Sequence, residues 1–218
     1  GHSENKVAKL HDKIVAELNA HKDDNSYPPK PQKIISDLRA AMNDEDIVIS
    51  DVGAHKMWMA RMFQAEQPNT CIISNGFASM GIALPGTIAA KLIYPEKNIL
   101  AVAGDSGFMM NSQEIETAMR LGLNITVIIF NDNKYGLIEW HQLREYGRAS
   151  HIEVGNADFV KFAESFGAKG YRVENTEDLQ SVIETAMNDG TVSIIDCPVD
   201  YSENMKLTAR LKSLSSPF

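Results

Sequence analysis

Apolar residues fall into two alternating kinds of run from Gln32 onward. Short blocks rich in β-branched residues, IVIS at 47–50, ILAVAG at 99–104 and TVIIF at 126–130, are apolar on consecutive positions, as strands buried on both faces are. Between them apolar residues recur three and four positions apart, the period of a helix with one packed face. The pattern predicts helix 32–43, strand 47–51, helix 55–64, strand 71–74, helix 80–92, strand 98–104, helix 111–121 and strand 125–131. It continues with helix 136–146, helix 156–166, strand 169–173, helix 176–188 and strand 192–197. Strands separated by helices need crossover connections, which makes the fold α/β: a doubly wound, mainly parallel sheet with helices on both faces.

Upstream, residues 4–21 carry Val7, Leu10, Ile14 and Leu18 on one face of an amphipathic helix. A polar stretch with Pro28, Pro29 and Pro31 then interrupts it. Gly1, His2 and Ser3 read as a cloning scar, residues 4–31 as helix and linker from a preceding domain, and 32–218 as the domain proper. Past Pro198 the chain turns polar and is expected to wrap the surface.

Composition narrows the class. Of 218 residues, 21 are basic and 29 acidic, a net charge of −8, and 44% are apolar. That supports one large α/β domain and argues against a nucleic-acid module or a polybasic membrane binder. No apolar run approaches the roughly 18 residues of a membrane-spanning helix, and no signal peptide is visible, so a cytoplasmic protein is expected. Cys71 and Cys197 form no CxxC and read as buried thiols. The six histidines lack H-x-H or HExxH spacing, which disfavours a histidine-based metal site.

In a doubly wound sheet, ligands bind beyond the carboxyl ends of the strands. Four runs lie there: DVGAH at 51–55, SNGFASMG at 74–81, GDSG at 104–107 and NDNKYG at 131–136. Asp105 and Asp132 leave equivalent ends of strands joined by one crossover helix, so neighbouring strands would bring them close, at a spacing of about 4.8 Å. Two such carboxylates repel unless a hard dication joins them. Mg²⁺ accepts one or two carboxylates, a carbonyl or water, and phosphate oxygens. Gly104, Gly107 and Gly136 let backbone N–H groups approach an anion. The expected ligand is a diphosphate held through magnesium; the competing reading makes both aspartates ordinary turn or N-cap residues. No GxxxxGK(S/T) and no strand-borne GxGxxG is present, which disfavours ATP and nicotinamide sites.

Gly104-Asp105-Ser106 followed by Asp132 in Asn131-Asp132-Asn133 resembles the GDG…NN motif of thiamine-diphosphate enzymes. The runs SNGFASMGIALPGTIAAKL, AVAGDSGFMMNSQEIETAMRLGL, FNDNKYGLIEWHQL and FAESFGAKGYRVE are similar to the C-terminal, pyrophosphate-binding domain of acetolactate synthase, of the catabolic, acetoin-pathway type, over roughly Lys30 to Tyr201. The resemblance implies that Asp105, Asp132 and the main-chain carbonyl of Lys134 hold Mg²⁺. It further implies that the N–H groups of Ser106, Gly107, Tyr135 and Gly136 hold diphosphate oxygens and that His55 donates to the terminal phosphate. Asn133 and Leu137 complete the implied cofactor wall. Met80 takes the place of the apolar wedge that bends the cofactor, with Ser79 beside it, while the Ala78 carbonyl and Met80 N–H address the pyrimidine edge.

The implied activity is that of a transferase and carboligase joining two molecules of pyruvate into 2-acetolactate with loss of CO₂. Three positions depart from the family pattern. Ser106 replaces the commonest third glycine, Asp132 replaces the second asparagine, and the tryptophan that selects 2-ketobutyrate in the anabolic enzymes falls, by ungapped counting, at His141, one place after Trp140. The departure at Asp132 and the displaced tryptophan imply the catabolic branch and a preference for pyruvate. The family's cofactor-activating glutamate lies on a separate N-terminal domain, usually the partner subunit's, and no run here matches it. No catalytic residue is therefore assigned to this chain, which is expected to be inactive alone and to work in a homo-oligomer. Another thiamine-dependent decarboxylase, carboligase or pyruvate oxidase, or a non-catalytic Mg²⁺-diphosphate binding module, are the alternatives.

Overall fold

Alternating strands and helices assemble, in the computed structural model, into a six-stranded sheet among the described residues, 2–207, with side chains described from Lys6 onward. The strands are β1 (Ile47–Ser50), β2 (Cys71–Ile73), β3 (Ile99–Gly104), β4 (Thr126–Asn131), β5 (Lys169–Arg172) and β6 (Ser193–Pro198). They lie in the order β2-β1-β3-β4-β6-β5 with every neighbouring pair parallel. The helices are α1 (His2–Leu18), α2 (Pro31–Ala41), α3 (Ala54–Met62), α4 (Ala83–Ile93), α5 (Asp105–Met109), α6 (Glu114–Arg120), α7 (Gly136–Tyr146), α8 (Phe159–Ser165) and α9 (Leu179–Met187). The doubly wound α/β reading holds. Among the described residues no helix is long and apolar enough to cross a membrane.

The alternation of side chains along each strand builds two cores. Leu100, Val102, Ile128, Phe130, Ile195 and Cys197 face one way, onto α2, α3 and α9. Ala101, Ala103, Val127, Ile129 and Ile194 face the other way, onto α4, α6 and α8. Central strands are therefore buried at nearly every position, whereas β2 and β5, at the sheet edges, are only partly buried.

The boundaries depart from expectation where polar contacts override periodicity. The predicted helix 80–92 begins at Ala83, because Gly81 sits at φ +87° and the buried Asp51 carboxylate accepts from the Gly81 and Ala83 N–H groups at 2.9 and 3.0 Å. The predicted helix 111–121 is preceded by α5, which starts directly at Asp105, and is shortened to α6.

Residues of the proline-bearing stretch pack against the C-terminal half: Tyr27 donates to the Val173 carbonyl, Thr176 to the Ser26 carbonyl, and the Asp200 N–H to the Pro29 carbonyl. Through Leu207 the tail does not merely wrap the surface as expected. Val199 and Leu207 join the core, and Trp58 donates to Asn204 Oδ1 at 2.7 Å; the expected tail beyond 207, and Gly1 of the expected scar, lie outside the described residues.

The strand order determines where a ligand can sit. From β1 the chain steps outward to β2 and then crosses back to β3, so β1 and β3 are neighbours whose connections leave in opposite directions. A crevice opens at such a switch point, beyond the carboxyl ends of the strands.

Candidate functional site

At that crevice lies a cleft of about 210 Å³, walled by the chain segments that follow β1, β3 and β4 and by the loop before α4. The β3–β4 register pairs Gly104 with Phe130, so Asp105 stands level with Asn131 and Asp132 follows one residue on. The adjacency expected of the two aspartates is present: both line the cleft from neighbouring parallel strands.

Asp105 is buried, and its Oδ1 accepts from the Ser106 N–H at 2.6 Å and the Ser106 hydroxyl at 3.3 Å, while Oδ2 accepts from Asn156 Nδ2 at 2.7 Å. Asp132 has no comparable set of donors. Burial, the Asp105 charge and Glu139 push its carboxyl up to about 7, against a smaller opposing effect of Lys134. The Lys134 ammonium is engaged with Glu139 Oε1 at 2.9 Å. Gly136 is required by this arrangement, since a Cβ there would lie 2.7 Å from Asp132 Oδ2.

Lys134 pairs with Glu153 in an antiparallel bridge, flanked by Tyr135 N–H to the Ile152 carbonyl at 2.8 Å and Val154 N–H to the Asn133 carbonyl at 3.0 Å. The Lys134 carbonyl takes part in neither bond, as a cation ligand requires. Two of the four N–H groups expected to hold diphosphate are engaged within the protein. Tyr135 N–H goes to Ile152 and Ser106 N–H to the Asp105 carboxylate. Gly107 and Gly136 lie in the first turns of α5 and α7, where N–H groups have no partner within their own helix.

His55, at the start of α3, is 1% exposed and lines the same cleft. Burial holds its ring well below the usual range, at about 4, although a bond to the Asp51 main chain works the other way. The ring is thus neutral, and its Nε2 has no hydrogen-bond partner. Its fit is close: a Cβ at Gly53 would lie 2.8 Å from the imidazole, and one at Gly104 3.3 Å.

The loop before α4 brings Ala78 and Met80 to the cleft. Its anchors are the Asp51 carboxylate and Asn111, whose Nδ2 donates to the Gly81 carbonyl at 2.9 Å. Ala78, at φ +51°, turns the backbone so that Met80 points inward and Ser79 stays exposed.

Of the residues singled out in the sequence, His55, Ala78, Met80, Asp105, Ser106, Gly107, Asp132, Lys134, Tyr135, Gly136 and Leu137 line the cleft. Ser79 and Asn133 do not; Asn133 accepts instead from Asn156 at 3.1 Å. Trp140 is buried and faces an adjoining cavity with Glu139 and Tyr201, and His141 is exposed. Sequence reasoning gave Asp51 no role, although it opens the DVGAH run just past β1, and missed Asn156 and Tyr201. Tyr201 follows β6, so the carboxyl-end rule would have found it; Asn156 had no signal beyond its residue type.

Among the described residues no three His, Cys, Asp or Glu side chains gather as a metal cage. Two carboxylates, a main-chain carbonyl and open space for further oxygens suit a hard octahedral cation that keeps exchangeable ligands.

Residues 51–197 match the family model of the thiamine pyrophosphate enzyme C-terminal TPP binding domain. The chain is 40% identical over 210 residues to acetolactate synthase of Bacillus subtilis (strain 168), covering 93% of this chain and 37% of that protein. It is 36% identical over 187 residues to the catabolic acetolactate synthase of Raoultella terrigena, covering 86% and 34%. It is 32% identical over 198 residues to the acetolactate synthase large subunit of Buchnera aphidicola subsp. Schizaphis graminum, covering 88% and 34%. The chain spans about a third of the length of these relatives. With the family match covering the β1, β3 and β4 corners that form the cleft, the chain belongs to the thiamine pyrophosphate enzymes and corresponds to the C-terminal TPP-binding domain of their acetolactate synthase-like members.

Proposed function

We propose that this chain binds thiamine diphosphate through Mg²⁺ and serves as the cofactor-binding domain of a cytoplasmic acetolactate synthase of the catabolic type, converting two pyruvates to 2-acetolactate and CO₂. The observation that carries the reading is the pair Asp105 and Asp132 at the tips of adjacent parallel strands, lining one cleft with the buried His55, whose Nε2 has no partner. Asp132, whose carboxyl is pushed up to about 7 by burial and by the Asp105 and Glu139 charges, is a group that a dication would relieve.

In this reading Asp105, Asp132 and the Lys134 carbonyl hold the metal. Gly107 and Gly136 N–H groups take diphosphate oxygens, and His55 directs Nε2 to the terminal phosphate. When bound, thiamine diphosphate supplies the electron sink needed to decarboxylate a 2-keto acid. The residues here bind and orient: Met80 gives an adaptable apolar surface against the ring system, and Phe130 and Leu137 exclude water beside it. Asp132, in the place of the second asparagine of the GDG…NN motif, and the absence of Trp140 and His141 from the cleft wall support pyruvate as acceptor.

The remaining machinery is assigned to an N-terminal pyrimidine-binding domain, of a partner subunit in a homo-oligomer. Phe77 is fully exposed on the loop beside the cleft, and Met110, which lies against Gly81 of that loop, is exposed too, leaving apolar surface where such a domain would dock. Calorimetric titration with thiamine diphosphate tests the site: binding is expected only with Mg²⁺, and Asp105→Ala or Asp132→Ala is expected to abolish it. Wild-type affinity in both variants would rule out the metal shell.

A further inference from the structure

Three oxygen atoms converge on one nitrogen beneath the cleft. Asn156 Nδ2 lies 2.7 Å from Asp105 Oδ2, 3.0 Å from Asn131 Oδ1 and 3.1 Å from Asn133 Oδ1. A side-chain amide carries two donor hydrogens, so it serves the carboxylate and one amide oxygen at a time. The charged acceptor, at the shortest distance, takes the stronger bond.

Both sides of this contact are braced. The segment carrying Asn156 is laid onto the loop after β4 by the Lys134–Glu153 bridge and its two flanking hydrogen bonds. Asn131 is oriented from the opposite side. Its Nδ2 donates to Asp196 Oδ1 at 2.8 Å, and Asp196, buried on β6, is paired with Arg172 of β5 at 2.9 Å. With its NH₂ turned to Asp196, Asn131 presents its oxygen to Asn156.

We infer that Asn156 is a positioning residue for the metal site: it holds the Asp105 carboxylate in the orientation that presents a lone pair to the divalent cation. The inference rests on the reading of Asp105 and Asp132 as metal ligands. A carboxylate offers about four acceptor sites. Ser106 supplies two donors at Oδ1 and Asn156 one at Oδ2, which leaves room for a single further ligand from the cleft. The choice of residue matters as much as its position. A neutral amide offsets part of the repulsion between Asp105 and Asp132 before metal arrives, whereas a lysine or arginine there would compete with the cation for the same charge.

The test is the Mg²⁺ dependence of thiamine diphosphate binding by the chain, followed by calorimetry at a series of metal concentrations, with Mn²⁺ alone as a second, spectroscopic probe. Asn156→Ala is expected to raise the half-saturating Mg²⁺ concentration about tenfold, the scale of one charge-assisted hydrogen bond. Cofactor affinity at saturating Mg²⁺ is expected to stay near wild type. Asn156→Gln, which keeps the donor, should recover part of the loss. An Ala variant with the wild-type metal midpoint overturns the inference while leaving the metal site itself intact. So does a parallel loss of thermal stability that Gln fails to restore, which marks a merely structural role. Wild-type protein that binds cofactor without any metal dependence removes the proposed function, and this inference with it.

Discussion

His55 shows how one residue type carries opposite meanings in sequence and in structure. A histidine at the start of a helix is ordinarily solvated and titrates near 6.5; here it is enclosed and held neutral to about 4. The folded state therefore binds its proton later than the unfolded chain does as pH falls. Stability from this residue is whole above about 6.5 and is lost progressively down to about 4, a penalty on the order of 3 kcal/mol in all. Urea unfolding of the metal-free chain at pH 7 and pH 5 checks it: His55→Gln is expected to lose about 2 kcal/mol less than wild type between the two. Equal losses would show that the ring is open to solvent. Asp105 and Asp132 were legible as a pair because both stand one step beyond a strand. Asn156 was not, because its meaning comes only from three oxygens contributed by other segments.

At the scale of elements, the loop from β2 to α4 is the least regular part of the site, and the most dependent on single atoms. Its entry into α4 is set by the Asp51 carboxylate, and Gly81 holds a φ of +87° with only 2.7 Å between an imagined Cβ and Asn111 Nδ2. Gly81→Ala meets both a strained backbone and a collision, so it is expected to destabilise the chain by about 1–3 kcal/mol in denaturant unfolding. It should also weaken cofactor binding, because Met80 is the adjacent residue; an unchanged unfolding midpoint would count against this account of the loop. Hydrophobic period predicts that a helix follows this corner, but the period starts at 80 and the helix at Ala83. A buried carboxylate decides the difference, and periodicity does not register it.

For the whole molecule, the site occupies one open end of a sheet, and the chain spans about a third of its relatives' length. If the cofactor's activating acid belongs to another domain, purified chain given pyruvate, Mg²⁺ and thiamine diphosphate should form no acetolactate above a no-protein control. Product formation would place the missing acid within these 218 residues. The sequence by itself determined the kind of fold, since consecutive apolar runs joined by amphipathic helices can be buried only in a parallel sheet with two covered faces. It also marked the corners that line the cleft, because glycine and aspartate just past a strand are local features. Tertiary structure alone decided the strand order, the folding of the tail into the core with Tyr201 at the cleft, and the network of Asn156, Asn131, Asp196 and Arg172. Each of those joins residues distant along the chain, through contacts too specific in distance and direction for any local period of side chains to encode.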